Sequence, residues 1–227
     1  MEGALREGSG EPGLRLIETL LWDGAQAVRG ELHAARMGAS AALLGWGFEA
    51  GAFAALARGE PGVPARLRLT LDAGGVLAVE RGAVPVPLAV WRVGMAGARL
   101  ASGDPWLRVK STRRAVYDAA RAGLAPGLDE VLFLNERGEV CDGTITTVFF
   151  DRGQGMRTPP LASGLLPGVL RAEMAVQEEL LMAEDLGRVR LWLGNSLRGL
   201  APAVWVGGAP PEPGYLGKDG ALGGPCP

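Results

Sequence analysis

Lysine is almost missing from this chain: 21 arginines stand beside two lysines, Lys110 in the middle and Lys218 near the end. The arginine bias accompanies abundant alanine and glycine and reflects composition as a whole, so the scarcity is not itself evidence of function. It does narrow the choice, because Lys218 falls in a Gly/Pro-rich tail and leaves Lys110 as the one candidate for a buried, ordered amine. Histidine is scarcer still. A Ser-His-Asp triad would have to use His33, the single histidine, and no Gly-x-Ser-x-Gly elbow accompanies it. The two cysteines, Cys141 and Cys226, lie far apart, so neither a disulfide framework nor a zinc site is indicated, and no metal is expected. A net charge of −2 gives no general reason to expect nucleic acid or an anionic membrane as partner. No apolar run approaches the length of a membrane span, and the opening residues lack the basic-then-apolar order of a signal peptide, so the expected setting is the cytoplasm.

What the chain does have is length and apolar content. Its 227 residues, 48% of them hydrophobic, suffice for one large domain or two small ones with a substantial core. Residues 1–13 are polar and glycine-rich, and Gly8-Ser-Gly-Glu-Pro-Gly13 formally matches a dinucleotide-binding pattern. The context is wrong for it: no strand precedes, a strand follows, and Pro12 stiffens the place where backbone should wrap a pyrophosphate. Leu14 to Leu20 reads as a strand. Residues 31–45 read as a helix with apolar positions at Leu32, Ala35, Ala39, Leu43 and Leu44. His33 and Arg36 share another face of that helix, which reads as a solvated polar side. Alternating Leu67, Leu69 and Leu71, then Ala73-Gly-Gly75 and Val76 to Val79, predict a hairpin over 64–81. A further strand is expected at 88–93.

From Trp106 the pattern changes. A short extended segment ends at Lys110, and Ser111 is placed to cap a helix running to about Ala122. A helix N-terminus beside Lys110 would disfavour its ammonium form. Val131-Leu-Phe-Leu134, a turn, and Glu139-Val-Cys-Asp142 predict a second hairpin, and Thr144 to Phe150 a strand. Thr158-Pro-Pro-Leu opens a loop of small residues, and Pro167-Gly168 leads into a helix through Val176 whose first N–H groups can meet a phosphate. Residues 189–194 form a buried strand that ends at Asn195-Ser-Leu-Arg-Gly199.

These four features, in this order, resemble the fold-type IV pyridoxal-phosphate enzymes: a lone Lys before a helix, an acidic-Gly-Thr strand, a Pro-Pro-Leu-x-x-Gly-Leu-Leu-Pro-Gly loop, and a late Gly-Asn-Ser-Leu-Arg-Gly segment. That family comprises the class IV aminotransferases, branched-chain and D-amino acid, and aminodeoxychorismate lyase. The resemblance runs from about Ile17 to Val206. It implies an α/β (α+β) two-domain fold: a small N-terminal α/β domain over 1–105, a larger cofactor-binding domain of mixed β structure with helices over 106–206, and a tail over 207–227.

The same resemblance implies pyridoxal 5'-phosphate as cofactor, with Lys110 forming the Schiff base and then acting as the base at Cα. Arg36 would bind the cofactor phosphate, Leu166, Gly168, Val169 and Leu170 would supply its binding turn, and Ser196 with the Leu197 backbone its other side. Asp142 falls where the family places a glutamate that pairs with the pyridinium nitrogen. It is one methylene shorter. Thr147 stands where asparagine is common and Val109 where lyase-like members often carry histidine. Lys110-Ser-Thr-Arg-Arg114 and the Asn195 segment are closer to the aminodeoxychorismate lyases, and Arg114 and Arg198 remain for a substrate with two carboxylates. The implied reaction is conversion of 4-amino-4-deoxychorismate to 4-aminobenzoate and pyruvate, a step of folate synthesis, in a homodimer. The alternatives are amino transfer from a D- or branched-chain amino acid to a 2-keto acid, and a non-catalytic homologue favoured by the Asp142 departure.

Overall fold

Two sheets divide the chain, and the computed structural model describes them over residues 2–207. Lys218, Cys226 and all but the first residue of the expected tail lie outside the described residues. In the first sheet β1 (Leu16–Trp22), β2 (Ala65–Leu71) and β3 (Leu77–Gly82) run antiparallel in sequence order. The β2–β3 turn closes where expected. The Asp72 carboxylate accepts from the N–H groups of Gly74 and Val76 at 3.0 and 2.9 Å, and Gly75 takes φ +81°, a conformation that costs glycine little. Leu67, Leu69 and Leu71 point to one face with Leu16 and Leu20, against α1 (Glu2–Gly8), α2 (Gly30–Leu44) and α3 (Ala50–Leu56). The two-residue period therefore turns Arg66 and Arg68 to the opposite face.

The second sheet has eight strands in the order β6-β5-β4-β11-β10-β7-β8-β9. These are β4 (Trp91–Leu100), β5 (Glu130–Asn135), β6 (Val140–Gly143), β7 (Thr147–Asp151), β8 (Arg157–Thr158), β9 (Gln177–Glu178), β10 (Arg190–Asn195) and β11 (Gly199–Trp205). β6 and β7 stand five places apart in that order, about 24 Å in a flat sheet. Only residues 144–146 connect them, and four Cα steps reach at most about 14 Å. The sheet therefore curls until the two strands meet, and the Gly143 N–H donates to the Thr146 carbonyl at 2.9 Å. Curling buries both faces of the central strands: Leu132 and Leu134 pack with Val148, Phe150 and Leu193, while Val131 and Phe133 pack with Cys141 and with Tyr117 of α4 (Ala115–Ala122). That is why β5 reads as an uninterrupted apolar run.

Several expectations are corrected. The opening residues include a helix, α1. β4 starts at Trp91 and belongs to the large sheet, whereas Trp106 and Val109 pack in the core of the small one, so the division at residue 105 does not follow the packing. The most telling difference is in α2, where Leu32 and Leu43 are 38% and 36% exposed and His33, Met37, Ser40, Ala41 and Leu44 are buried. The helix turns its expected polar face inward.

Candidate active site

Lys110 follows a turn of 3-10 helix at Pro105–Arg108 rather than an extended segment, and α4 begins only at Ala115. Ser111 caps no helix; its hydroxyl accepts weakly from the Arg113 N–H at 3.3 Å. What fixes the lysine is β1. The Ile17 N–H donates to the Lys110 carbonyl at 2.8 Å, and the Thr112 N–H to the Arg15 carbonyl at 2.8 Å. The lysine thus sits at the seam of the two sheets with its side chain in a cavity of about 900 Å³, large enough for a cofactor and a small substrate together. Burial, not a helix dipole, lowers its pKa to about 8, with the Arg36 guanidinium adding to the effect and the Glu18 carboxylate opposing it.

Glu18 was not singled out by the sequence reading, yet it organises one wall. It lies on the core-facing side of β1 between Leu16 and Leu20 and is fully buried. Arg36 grips it with Nε and Nη2 at 2.8 and 2.5 Å, and His33 Nδ1 lies 2.6 Å from its Oε2. Burial pushes the carboxyl up, but Arg36 and His33 together outweigh it and hold the pKa down at about 2. His33 Nε2 lies 2.7 Å from Ser196 Oγ, and Arg36 Nη1 donates to the Pro167 carbonyl at 3.1 Å. One buried carboxylate thereby ties β1, α2, the loop before α5 (Val169–Met174) and the β10–β11 turn into a single unit. A charged residue on the apolar period of a strand was the available signal.

Asp142, at the end of β6, supplies the opposite wall. Its Oδ2 accepts from the Leu166 N–H at 2.8 Å, and its buried Oδ1 has no partner among the described residues. Burial raises its pKa to about 7, although the Leu166 N–H, Arg171 and Lys110 all favour the charged form. The loop behind it is held by Arg171, which is buried and donates to Thr158 Oγ1 and the Pro159 carbonyl, both at 2.8 Å. Glu130 holds the cavity floor, accepting from the Thr144 N–H and hydroxyl at 3.0 and 2.6 Å and from the Thr146 hydroxyl at 3.1 Å. Gly168 lies tight against Thr147: a Cβ there would sit 2.6 Å from Thr147 Oγ1. The helix after Gly168 is shorter than expected and stops at Met174, with Ala175 left-handed at φ 47°.

Every residue assigned to the site from sequence lines this one cavity: Arg36, Lys110 and Asp142, the loop Leu166, Gly168, Val169 and Leu170, the turn Ser196 and Leu197, and Arg114 and Arg198. Thr147, Val109 and Tyr117 line it too. Arg114 is partly committed, holding Asp118 at 2.7 Å and the Thr144 carbonyl at 3.2 Å. Arg198, and Arg68 from β2, which the sequence reading passed over, also face the cavity, and neither forms an ion pair among the described residues. Burial, with Arg121 nearby, pulls the Arg198 pKa down from its usual value. The cavity has an amine, an orphaned carboxylate oxygen and an arginine-rich rim.

Lys110 and the buried Asp142 carboxylate line the same cavity. The family model for class IV aminotransferases matches residues 15–205, and the chain belongs to that family, whose members are pyridoxal-phosphate-dependent aminotransferases and lyases. Among solved structures it is similar to a protein of Mesorhizobium loti given provisionally as an amino-acid aminotransferase, at 41% identity and TM-score 0.79, over 85% of this chain and 100% of the other. It shares the fold of 4-amino-4-deoxychorismate lyase from Pseudomonas aeruginosa, at 22% identity and TM-score 0.70, with 84% of each chain covered. The fold also recurs in a hypothetical aminotransferase of Mycobacterium tuberculosis described with α-ketoglutarate and PMP bound, at 22% identity and TM-score 0.71, over 87% of this chain and 83% of the other. No curated protein matches the chain. Among the described residues no helix is long and apolar enough to cross a membrane.

Proposed function

We propose that this chain holds pyridoxal 5'-phosphate on Lys110 and eliminates pyruvate from 4-amino-4-deoxychorismate, leaving 4-aminobenzoate. The observation that carries the cofactor reading is Asp142 Oδ1, a buried carboxylate oxygen without a partner among the described residues, on a side chain that lines the cavity Lys110 enters. A buried charge of this kind is costly alone and is satisfied by a protonated ring nitrogen. Bound there, the cofactor supplies an aldehyde carbon and an electron-accepting ring. Its phosphate would lie against the Gly168 to Leu170 backbone, Ser196 and Leu197, with Arg36 nearby.

The chain's own groups divide the work. Lys110, with its pKa near 8, keeps a usable fraction of neutral amine at neutral pH, first as nucleophile and then as the base that removes the proton from the carbon bearing the substrate amine. Asp142 keeps the ring nitrogen protonated. Arg198 and Arg68, unpaired among the described residues, supply two cations for the two carboxylates of the substrate, a role for which planar bidentate donors are suited. Loss of that proton and cleavage of the bond to the enolpyruvyl oxygen release pyruvate once the leaving group is reprotonated.

Amino transfer is the second reading, favoured by the 41% identity to the Mesorhizobium protein. Purified protein is incubated with the chorismate derivative and the cofactor, and pyruvate and 4-aminobenzoate are followed without any keto acid. Formation of both supports elimination; turnover only with an added keto acid supports transfer; neither sinks the enzyme readings. The proposal includes a homodimer in the cytoplasm. Support for the dimer is the apolar stripe Leu32, Ala35, Ala39 and Leu43 left exposed on α2, and a molar mass from light scattering tests it.

A further inference from the structure

We propose that His33 is a positioning residue that takes up a proton when a phosphate group enters the cavity, freeing the Ser196 hydroxyl to donate to it. The inference rests on reading Ser196 as a phosphate contact. It follows from counting protons along three buried groups. Glu18 is ionised and can only accept, so the hydrogen on His33 Nδ1 is committed to its Oε2 at 2.6 Å. In a neutral ring Nε2 is then a bare lone pair. Among the described residues the proton within reach of it is that of Ser196 Oγ, 2.7 Å away. A neutral His33 therefore holds the serine hydrogen away from the cavity and turns oxygen lone pairs toward any anion there.

A second proton on the ring reverses the chain. Nε2–H donates to Ser196 Oγ, and the hydroxyl hydrogen swings onto a phosphate oxygen. The free cavity opposes that state: burial lowers the imidazole pKa, Glu18 resists the fall, and the Arg36 and Lys110 cations add to it. A phosphate dianion brings two negative charges to the same place and favours the imidazolium. The β10–β11 turn that carries Ser196 also presents Arg198 to the cavity. β1 presents Glu18; α2 itself presents Arg36 and, at its start, Arg29, which is paired with Glu173 of α5 at 2.6 Å and donates to the Ser196 carbonyl at 3.2 Å. The strap beside β1 presents Lys110. α3 carries no titratable side chain, and α1 meets the far end of α2, where Arg6 approaches Gly45.

The sign follows from linkage. A pKa raised on binding gives extra affinity that is complete below the free-state pKa of His33 and is lost as pH rises through the bound-state value, up to tenfold per pH unit between them. Below about pH 6 the phosphate's own second proton replaces the effect.

Lys110 and Asp142 titrate in the same region, so the test reads the imidazole directly. The chain's single histidine gives one pair of ring ¹⁵N signals, provided that the expression tag contains none. Pyridoxamine 5'-phosphate is the probe, since it has no aldehyde to react with Lys110, and pyridoxamine is the control. The expected result at pH 7.5 is a neutral Nδ1–H ring in the free protein and with pyridoxamine, and an imidazolium with the phosphorylated probe. In His33→Gln, whose amide offers a permanent N–H, the phosphorylated probe's excess affinity should lose its pH slope. Binding of the probe with the ring still neutral, or a ring already charged in the free protein, overturns the proposal and leaves the cofactor reading standing. No binding of the probe at all overturns both.

Discussion

Asp142 Oδ2 accepts the Leu166 N–H at 2.8 Å, and this bond sets the direction of the whole carboxylate. It fixes one oxygen against the loop that leads to Gly168 and leaves the other buried, with no partner among the described residues. A side chain one methylene shorter than glutamate is thereby held by the loop rather than by its own reach.

Replacing that charge separates function from stability. Asp142→Asn keeps an acceptor for Leu166 but cannot hold a ring proton, and turnover should fall by about 10²–10⁴-fold. In the cofactor-free protein the effect on stability is the reverse. The folded pKa, about 7, lies above the ordinary value of 3.8, so ionisation destabilises the fold progressively from about pH 4 to pH 7. Asp142→Asn should therefore be more stable than the parent at pH 8, by up to roughly 4 kcal/mol, as urea denaturation of both proteins will measure.

The rate at which the cofactor is captured should rise with pH through about 8, since the neutral Lys110 amine is the attacking form. Stopped-flow absorbance after mixing with pyridoxal phosphate reads this directly. Lys110→Ala should remove the coloured product at every pH while leaving the fold intact by circular dichroism.

Glu18→Gln leaves the partly buried Arg36 without its counter-charge and the buried His33 Nδ1–H without its carboxylate acceptor. A loss of about 3–5 kcal/mol is expected, visible as a lowered thermal midpoint. In the parent, the depressed carboxyl pKa contributes stability that is fully present above the ordinary value of 4.5 and is lost as pH falls toward about 2. The variant should lack that acid limb.

Arg198→Ala and Arg68→Ala should each raise KM for a dicarboxylate substrate by about 10–100-fold, the size of a hydrogen bond to a charged group, with cofactor affinity unchanged. Steady-state kinetics with parallel cofactor titrations decides this. An equal loss in both would assign these arginines to the cofactor instead.

Gly168→Ala is a steric test, because Gly168 has an ordinary φ of −64° and the clash is with Thr147 Oγ1 alone. The single variant should lose about 1–3 kcal/mol. Adding Thr147→Ala, which removes the offending atom, should restore most of it in thermal melts.

How much was readable in advance varies with the kind of interaction. The β2–β3 and β5–β6 hairpins were, because alternation and turn residues act over a few neighbours. The assignment of Lys110, Asp142 and the Gly168 loop to one site rested on the order of four motifs, and all of them do line one cavity. A helix N-terminus was expected to lower the lysine's pKa, but α4 starts five residues later than Lys110 and burial lowers it instead. Periodicity counted Leu32, Ala35, Ala39, Leu43 and Leu44 as the inner face of α2 and left His33 to water; of these only Leu44 is buried, and His33 is buried too.

The sequence by itself determined the candidates. One internal lysine and one histidine leave little else to supply an amine or an imidazole, and local propensity sets most of the strands. Only the tertiary structure decided which helix face is buried and how the groups are wired. Glu18 on β1 is the physical reason: a buried carboxylate must be met by hydrogen-bond donors and a counter-charge, and His33 and Arg36 supply them from α2. That demand is made across 15 and 18 residues of chain, where no local pattern carries it, and it outweighs the leucines' preference for the core.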